Sequence, residues 1–178
     1  MEYISILDED GIPTGKIKTR DEVHRDGDWH EAAIVAIINQ KNHVLLQKRS
    51  MTKEKYPGLW DISLASHISA GEDALSTIMR ENNEEIGLQL PRDIRVSDFL
   101  FTKTFRDRRT IGEFKENQFY NLFVIRKNLA LDNISFNDAE VDEVKWADYT
   151  ELLNMMKSGV MHPRTQWIDF VNKVMNRL

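Results

Sequence analysis

Apolar residues occur in short runs separated by polar turns along this chain, and these runs predict strands. Residues 32–38 are almost all apolar, which indicates a strand buried on both faces, and residues 44–47 predict a second strand after a tight turn. The polar residues 8–31 are predicted to form an arm over the core, and those between 101 and 119 a loop. Further short strands are predicted at residues 4–7, 59–64, 99–101, 119–125 and 141–146, the last of which alternates like an edge strand.

Three segments show the apolar spacing of helices. Residues 72–86 contain no glycine or proline, and apolar residues recur at three- and four-residue intervals from Ala74 to Met79. We therefore predict an amphipathic helix there that ends at Gly87. Two further helices are predicted at residues 149–157 and 165–175. Strands and helices mixed in this order favour one α/β domain.

Composition narrows the class of protein. At 178 residues, 41% hydrophobic and 30% charged, the chain is long enough for one domain with a real core and too apolar to be disordered. Its net charge of −5 does not attract nucleic acid or an anionic membrane, and no DNA-binding motif is evident. No stretch approaches the roughly 20 apolar residues of a membrane span, so we expect a cytoplasmic protein. The absence of cysteine excludes disulfides, thiolate metal sites and thiol nucleophiles.

Three carboxylates lie close together near the end of the predicted helix at 72–86, those of Glu81, Glu84 and Glu85. Glu81 and Glu85 stand four residues apart on one face, where like charges repel, and acids near a helix C-terminus oppose its macrodipole. A divalent cation would reverse this unfavourable arrangement, because hard oxygen ligands suit Mg²⁺. A solvated acidic surface is the other interpretation, and it is the commoner one for an arbitrary pair of glutamates.

The surrounding residues resemble the Nudix box, G-x5-E-x7-R-E-U-x-E-E-x-G-U, in which U is an aliphatic residue. Two positions differ, because Ser66 stands where glycine is usual and Asn82 where an aliphatic residue is usual. Neither change removes a side-chain ligand, so we expect activity to survive. The remaining fixed positions of the box are held by Glu72, Arg80, Glu81, Glu84, Glu85, Gly87 and Leu88.

The Nudix resemblance implies a fold and a chemistry. The fold is a single-domain α/β/α sandwich with a mixed sheet, in which a strand and arm at residues 1–31 precede the hydrolase domain at residues 32–178. The chemistry is hydrolysis of a nucleoside diphosphate linked to another group, with Mg²⁺ as cofactor and Mn²⁺ as a substitute. Glu81, Glu84 and Glu85 are the implied metal ligands, Glu81 and Glu84 are also catalytic candidates, and Glu84 is the first candidate for the base. Arg80 would orient the carboxylates, and Glu116, outside the box, is a second candidate base.

Outside the box, the sequence resembles the Nudix branch that contains type I isopentenyl diphosphate isomerase and its hydrolase relatives. That isomerase moves a double bond by using a cysteine and a glutamate as proton carriers, and these positions align with Ala65 and Gln118. Neither an alanine nor an amide can carry the proton, so the isomerase is disfavoured. The resemblance rests on Gly15, Arg20, Val23-His24-Arg25, Trp29-His30, residues 45–49, residues 56–61 and His67.

Further residues are candidates for binding. His24, His30 and His67 resemble positions through which the isomerase relatives bind a metal, but a single histidine is more often structural, and their role stays open. Arg49 and Lys53, with His67, are the candidate substrate-binding residues. An alternative basic stretch comprises Lys103, Arg106, Arg108 and Arg109. Aromatic residues that could stack a base, or belong to the core, are Tyr56, Trp60 and Phe105.

The expected partner is a small-molecule diphosphate substrate, which the sequence does not identify, and homodimer formation stays open. Two other classes are carried alongside the hydrolase. An isomerase would need a proton carrier that the sequence does not provide. A catalytically silent nucleotide-binding regulator would have no need to keep every acidic residue of the box.

Overall fold

The computed structural model describes residues 1–86, 95–134, 136–137 and 139–176, without the side chains of residues 85, 86 and 133. Gly87 and Leu88 of the box therefore lie outside the described residues. Within them, the strands are β1 (Tyr3–Leu7), β2 (Pro13–Thr19), β3 (Trp29–Ile38), β4 (Val44–Arg49), β5 (Trp60–Ile62), β6 (Leu64–His67), β7 (Phe101–Ile111), β8 (Phe114–Arg126) and β9 (Val141–Ala147). The helices are α1 (Arg20–Asp26), α2 (Ala74–Glu81), α3 (Tyr149–Lys157) and α4 (Trp167–Met175).

β3 is the central strand of one mixed sheet. It pairs in parallel with β8 along its whole length, and its other edge pairs antiparallel with β1, β6 and β4 in turn. β2 extends the sheet from β1 and β7 extends it from β8, while β5 and β9 both pair with β4. β3 thus lies in the interior of the sheet, and a core on each side buries both of its faces, as predicted.

Alternate residues of β3 pack into two cores. The even-numbered residues from Ala32 to Ile38 face a core that α3 and α4 close with apolar residues such as Trp167. The odd-numbered residues between them face a second core, into which α2 inserts Ile78. Helices therefore cover both faces of the sheet, which confirms the predicted α/β/α sandwich. No helix in the described ranges is long and apolar enough to cross a membrane.

The helix prediction at residues 72–86 is close to the structure. The α-helical part, α2, is shorter than predicted, and a π-helical turn at Asn82–Ile86 continues it. The predicted helix at 149–157 matches α3, and the one at 165–175 matches α4 except for its first two residues. The strand predicted at 59–64 is instead divided into β5 and β6.

Residues 8–31 hold more regular structure than the predicted arm, because they contain β2, α1 and the first residues of β3. A capping box begins α1: the Thr19 hydroxyl accepts from the Glu22 N–H, and the Glu22 carboxylate accepts from the Thr19 N–H. Gly27, at φ +76°, ends the helix in the left-handed conformation. Val23 packs on β1. The division of the chain at residue 31 stays a prediction.

The prediction of a loop between residues 101 and 119 is wrong, because these residues form most of a long β-hairpin. β7 pairs with β8 from Phe101 opposite Val124 to Ile111 opposite Phe114. In the described chain β7 is paired on one side only, and its less exposed positions include Arg109 as well as Phe105. The apolar alternation that identifies a strand is therefore missing from its sequence.

Candidate active site

The acidic end of α2 is positioned by a capped start and an apolar anchor. Asp73 caps the helix, with its Oδ1 accepting from the Ser76 N–H at 2.8 Å. Ile78, which is 2% exposed, packs on the sheet. The turn that follows this anchor carries Arg80 and Glu81 to the lining of a cavity.

Arg80 holds the described carboxylates of this helix together. Its Nε and Nη2 donate to the two oxygens of Glu72 at 3.1 and 3.2 Å, a bidentate pair that fixes the guanidinium plane. Its Nη1 donates to Glu81 Oε1 and, at 3.3 Å, to Glu84 Oε2. Hydrogen bonding to Glu72 raises the pKa of Arg80 and lowers the pKa of Glu72. Arg80 thus offsets part of the repulsion noted in the sequence, while the Glu85 side chain lies outside the described residues.

One departure from the box, on β6, contacts this helix, and the other directly follows it. Ser66, at the usual glycine position, donates from Oγ to Glu81 Oε1 at 2.7 Å. This substitution therefore adds a hydrogen bond to a predicted metal ligand. Asn82 is fully buried where the π-helical turn begins, and such turns are frequent at functional sites.

One cavity of about 660 Å³ collects the predicted site residues. Its volume is in the range of small-molecule sites, about 300–1,000 Å³. Every predicted site residue whose side chain is described lines it, namely Arg49, Lys53, His67, Arg80, Glu81, Glu84 and Glu116. Their individual roles stay predictions.

Arg49 and Lys53 are both engaged by the protein. Arg49 Nη2 donates to the Lys55 carbonyl at 2.9 Å, and its Nε donates to the Tyr56 carbonyl at 3.2 Å. Lys53 Nζ pairs with Glu140. Arg49 therefore also shapes the loop after β4, which brings Tyr56 into the cavity lining.

Three histidines form a cluster beside the cavity. The ring centroids of His24, His30 and His67 are 5.1 to 5.2 Å apart, and one nitrogen of each lies within 4.8 Å of the others. His24 Nδ1 lies 3.1 Å from the Lys115 carbonyl oxygen, and His30 Nδ1 lies 3.0 Å from the Asp28 carbonyl oxygen. The Nε2 of His24 is buried and has no hydrogen-bond partner in the described structure.

The cluster fits a transition metal ion. Carbonyl contacts at Nδ1 of His24 and His30 favour protonation there, which leaves their Nε2 atoms as the ligand atoms. That of His30 lies 3.0 Å from the side-chain nitrogen of Gln118. Burial lowers the pKa of all three rings, that of His30 to about 4, so the imidazoles are neutral near pH 7, as metal ligation requires. Imidazole nitrogen suits Zn²⁺ and similar ions better than Mg²⁺.

The cavity lining includes four buried polar residues, and half-buried Tyr56 lies against one of them, His162. We call these five residues the polar floor: Tyr56, Glu116, Gln118, His162 and Arg164. Arg164 Nε donates to Asp61 Oδ1 at 3.2 Å. Burial raises the pKa of Asp61, but the Arg164 charge outweighs it, and the pKa is lowered to about 2. Behind the floor, Arg109 Nη2 lies 2.9 Å from Glu116 Oε2.

Other candidates from the sequence lie elsewhere. Arg106 and Arg108 contact Glu9 and do not line the cavity, and Arg109 lies behind Glu116. Sequence reasoning missed His162 and Arg164. The partner of Arg164 is Asp61, which is 103 residues away in the chain. No local pattern indicates such a distant pair. Of the aromatic candidates Tyr56 lines the cavity, whereas Phe105 packs on Tyr120 and Phe170, and Trp60 lies beneath Lys48 and Lys145.

Comparison with known sequences identifies one family. A model of the NUDIX domain matches residues 28–168. Nudix hydrolase 3 of Arabidopsis thaliana is 37% identical over 158 residues, which are 87% of this chain, and the chain spans 20% of that protein's length. An uncharacterized Nudix hydrolase of Listeria monocytogenes is 29% identical over 99% of this chain and 95% of its own. Isopentenyl-diphosphate Delta-isomerase of Shigella flexneri is 29% identical over 85% of this chain and 80% of its own.

Solved structures share the fold at low identity. DR0079 of Deinococcus radiodurans has a TM-score of 0.68 and 15% identity, covering 97% of this chain and 99% of its own. A MutT protein from Methanosarcina mazei has a TM-score of 0.61 and 18% identity, covering 84% of this chain and 94% of its own. Identities this low establish the fold alone. The family model, which covers most of the chain, and the box residues at its acidic helix together show that this chain belongs to the Nudix family of hydrolases.

Proposed function

We propose that this Nudix hydrolase uses Mg²⁺, with Mn²⁺ as a substitute, to cleave the phosphoanhydride bond of a nucleoside diphosphate linked to another group. The main support is that the candidate residues converge on one cavity. Arg80 gathers Glu81 and Glu84 there, and Arg49 and Lys53 line the same cavity. Carboxylate oxygens suit a hard cation, and guanidinium and ammonium groups suit phosphate oxygens.

The residues then divide the work of hydrolysis. A bound Mg²⁺ supplies charge neutralisation and makes a bound water more acidic. Glu81 and Glu85 would hold the ion, Glu85 on the box resemblance alone. Arg80 keeps Glu81 and Glu84 oriented, and Glu84 is a further ligand or the base. Glu116 is the second candidate base, because its carboxylate lines the same cavity, where Arg109 pairs with it.

The isomerase alternative finds no proton carrier at the two positions that its reaction uses. Ala65 and Gln118 both line it, at the positions that resemble the isomerase's cysteine and glutamate. A methyl group holds no exchangeable proton, and a carboxamide is neither an acid nor a base near neutral pH. The isomerase relative therefore supports a shared fold more than a shared reaction.

A second cation is supported at the histidine cluster. His24, His30 and His67 would hold it, and three neutral nitrogens favour a transition ion such as Zn²⁺. Metal analysis of the purified protein should then find close to one such ion per chain, and His30→Gln should lose it. Wild-type protein that retains no transition ion after dialysis against a trace of Zn²⁺ would remove this part of the proposal.

The test of the proposed reaction is a turnover screen with Mg²⁺ over nucleoside di- and triphosphates, nucleotide sugars, dinucleotides and isopentenyl diphosphate, with products read by mass. Glu81→Gln should lower kcat by about 10²-fold or more, because it removes a ligand charge. The matched control is Glu9→Gln, at a side chain that is 75% exposed outside the cavity, and it should stay within about twofold of wild type. Tight nucleotide binding without turnover of any compound would favour the silent regulator instead.

A further inference from the structure

The polar floor has a composition that the proposed chemistry leaves unexplained. Gln118, His162 and Arg164 expose only 1%, 4% and 7% of their surfaces, yet each lines the cavity. Apart from Glu116, none of the floor residues has a part in the proposed hydrolysis. A hydrocarbon group lying against this surface would strip water from polar atoms and return no hydrogen bond.

Charge on the floor is already balanced by partners within the described residues. Arg164 pairs with buried Asp61, and Glu116 pairs with Arg109. His162 is neutral near pH 7, because burial, reinforced by the Arg164 charge, lowers its pKa to about 2. The floor therefore suits an uncharged ligand group better than a further phosphate, because the charge of buried Arg164 is balanced by an equally buried carboxylate.

Two uncharged polar atoms of the floor could form hydrogen bonds with a ligand. The Tyr56 hydroxyl and the Gln118 Oε1 are buried and without a hydrogen-bond partner in the part of the chain that the structure describes. Tyr56 has φ +53°, an uncommon backbone conformation for a large side chain, and its ring lies 4.3 Å from that of His162. The loop is thus held in a conformation that keeps Tyr56 in the cavity lining.

We propose that the polar floor is a specificity subsite for an uncharged, hydroxyl-bearing ring on the substrate's diphosphate, with Tyr56 and Gln118 as hydrogen-bonding determinants. This inference rests on the proposed function, because it concerns the group that the diphosphate carries. A nucleoside ribose or a second sugar supplies the required hydroxyl groups. An isoprenoid chain leaves both determinants unpaired, which disfavours it by roughly ten- to a hundredfold per group.

The test compares kcat/KM for UDP-glucose, UDP and isopentenyl diphosphate in wild type and Tyr56→Phe, which removes only the hydroxyl. The wild type should have a higher kcat/KM for UDP-glucose or UDP than for isopentenyl diphosphate. Tyr56→Phe should lower the ratio of the first kcat/KM to the second by about tenfold. A fall shared by UDP and UDP-glucose assigns the floor to the nucleoside, and a fall confined to UDP-glucose assigns it to the sugar. The matched control is Tyr149→Phe, a half-buried tyrosine of α3 that does not line the cavity, and it should leave the ratio unchanged.

Two results overturn the subsite while leaving the proposed hydrolysis intact. One is faster cleavage of isopentenyl diphosphate than of the hydroxyl-bearing substrates by the wild type. The other is an unchanged ratio in Tyr56→Phe. If no diphosphate is cleaved, the proposed function fails, and calorimetric titration with UDP-glucose then decides the subsite. A Kd weakened about tenfold in Tyr56→Phe supports it, and an equal Kd overturns it.

Discussion

Replacing Arg80 by lysine tests whether one guanidinium organises the acidic helix. Lysine keeps the positive charge but lacks the planar fork, so it cannot reproduce both hydrogen bonds to Glu72 while contacting Glu81 and Glu84. Up to three of the four hydrogen bonds are lost. The Arg80 side chain is 33% exposed and that of Glu72 29%, so solvent screens these bonds to about 0.5 kcal/mol each. We therefore expect the free energy of unfolding to fall by about 1–2 kcal/mol.

The effect on catalysis should be larger than the effect on stability. Displacement of a catalytic carboxylate by about 1 Å can cost on the order of 10²-fold in rate, and Arg80 is the contact that orients Glu81 and Glu84. The assay pairs urea denaturation with kcat measured at saturating Mg²⁺, for Arg80→Lys and for the control Arg106→Lys. Arg106 is exposed and makes one 3.4 Å contact outside the cavity. If both variants match the wild type in stability and rate, the organising role of Arg80 is refuted.

Three further predictions concern pH, the metal and the reaction. Between pH 7 and pH 5 the free energy of unfolding should fall by about 2 kcal/mol through His162 alone. In this pH range only the unfolded chain, in which the pKa of His162 is near 6.5, takes up the proton. Urea denaturation of His162→Gln should therefore show a fall that is smaller by about 2 kcal/mol. Glu85→Gln should lower kcat by about 10²-fold without loss of stability in the metal-free protein, and near-normal turnover would contradict its assignment as a ligand. Isopentenyl diphosphate incubated with the protein in heavy water should take up no deuterium, since Ala65 and Gln118 carry no proton, and deuterated allylic product would show that another residue does.

Elements of the fold can be predicted from the sequence where their pattern depends on residues close together in the chain. The apolar run of β3 and the spacing from Ala74 to Met79 depend on near neighbours, so both were recognisable. β7 was missed because it is a one-sided strand with polar residues at inward positions. The polarity of residues 8–31 predicts an arm, although Thr19 and Glu22 form a capping box there that sequence alone can indicate.

The residues of the candidate site also differ in how well the sequence predicts them. The box residues are recognisable because a short helix fixes their spacing, whereas the pair between Asp61 and Arg164 joins positions 103 residues apart. The histidine cluster lies between these cases. Its members came from a resemblance, but their proximity depends on α1, β3 and β6 meeting at one place, which spacing in the sequence does not encode.

In the proposed reaction, this cavity directs water to phosphorus with the help of a divalent cation. The most direct measurement follows cleavage of the best substrate from the turnover screen in water enriched in ¹⁸O, with Mg²⁺ and again with excess chelator, and reads the products by mass. We predict one ¹⁸O atom in a phosphoryl product for each bond split with Mg²⁺, and no cleavage with chelator. Cleavage at an equal rate in chelator, or products formed without ¹⁸O, would contradict the account.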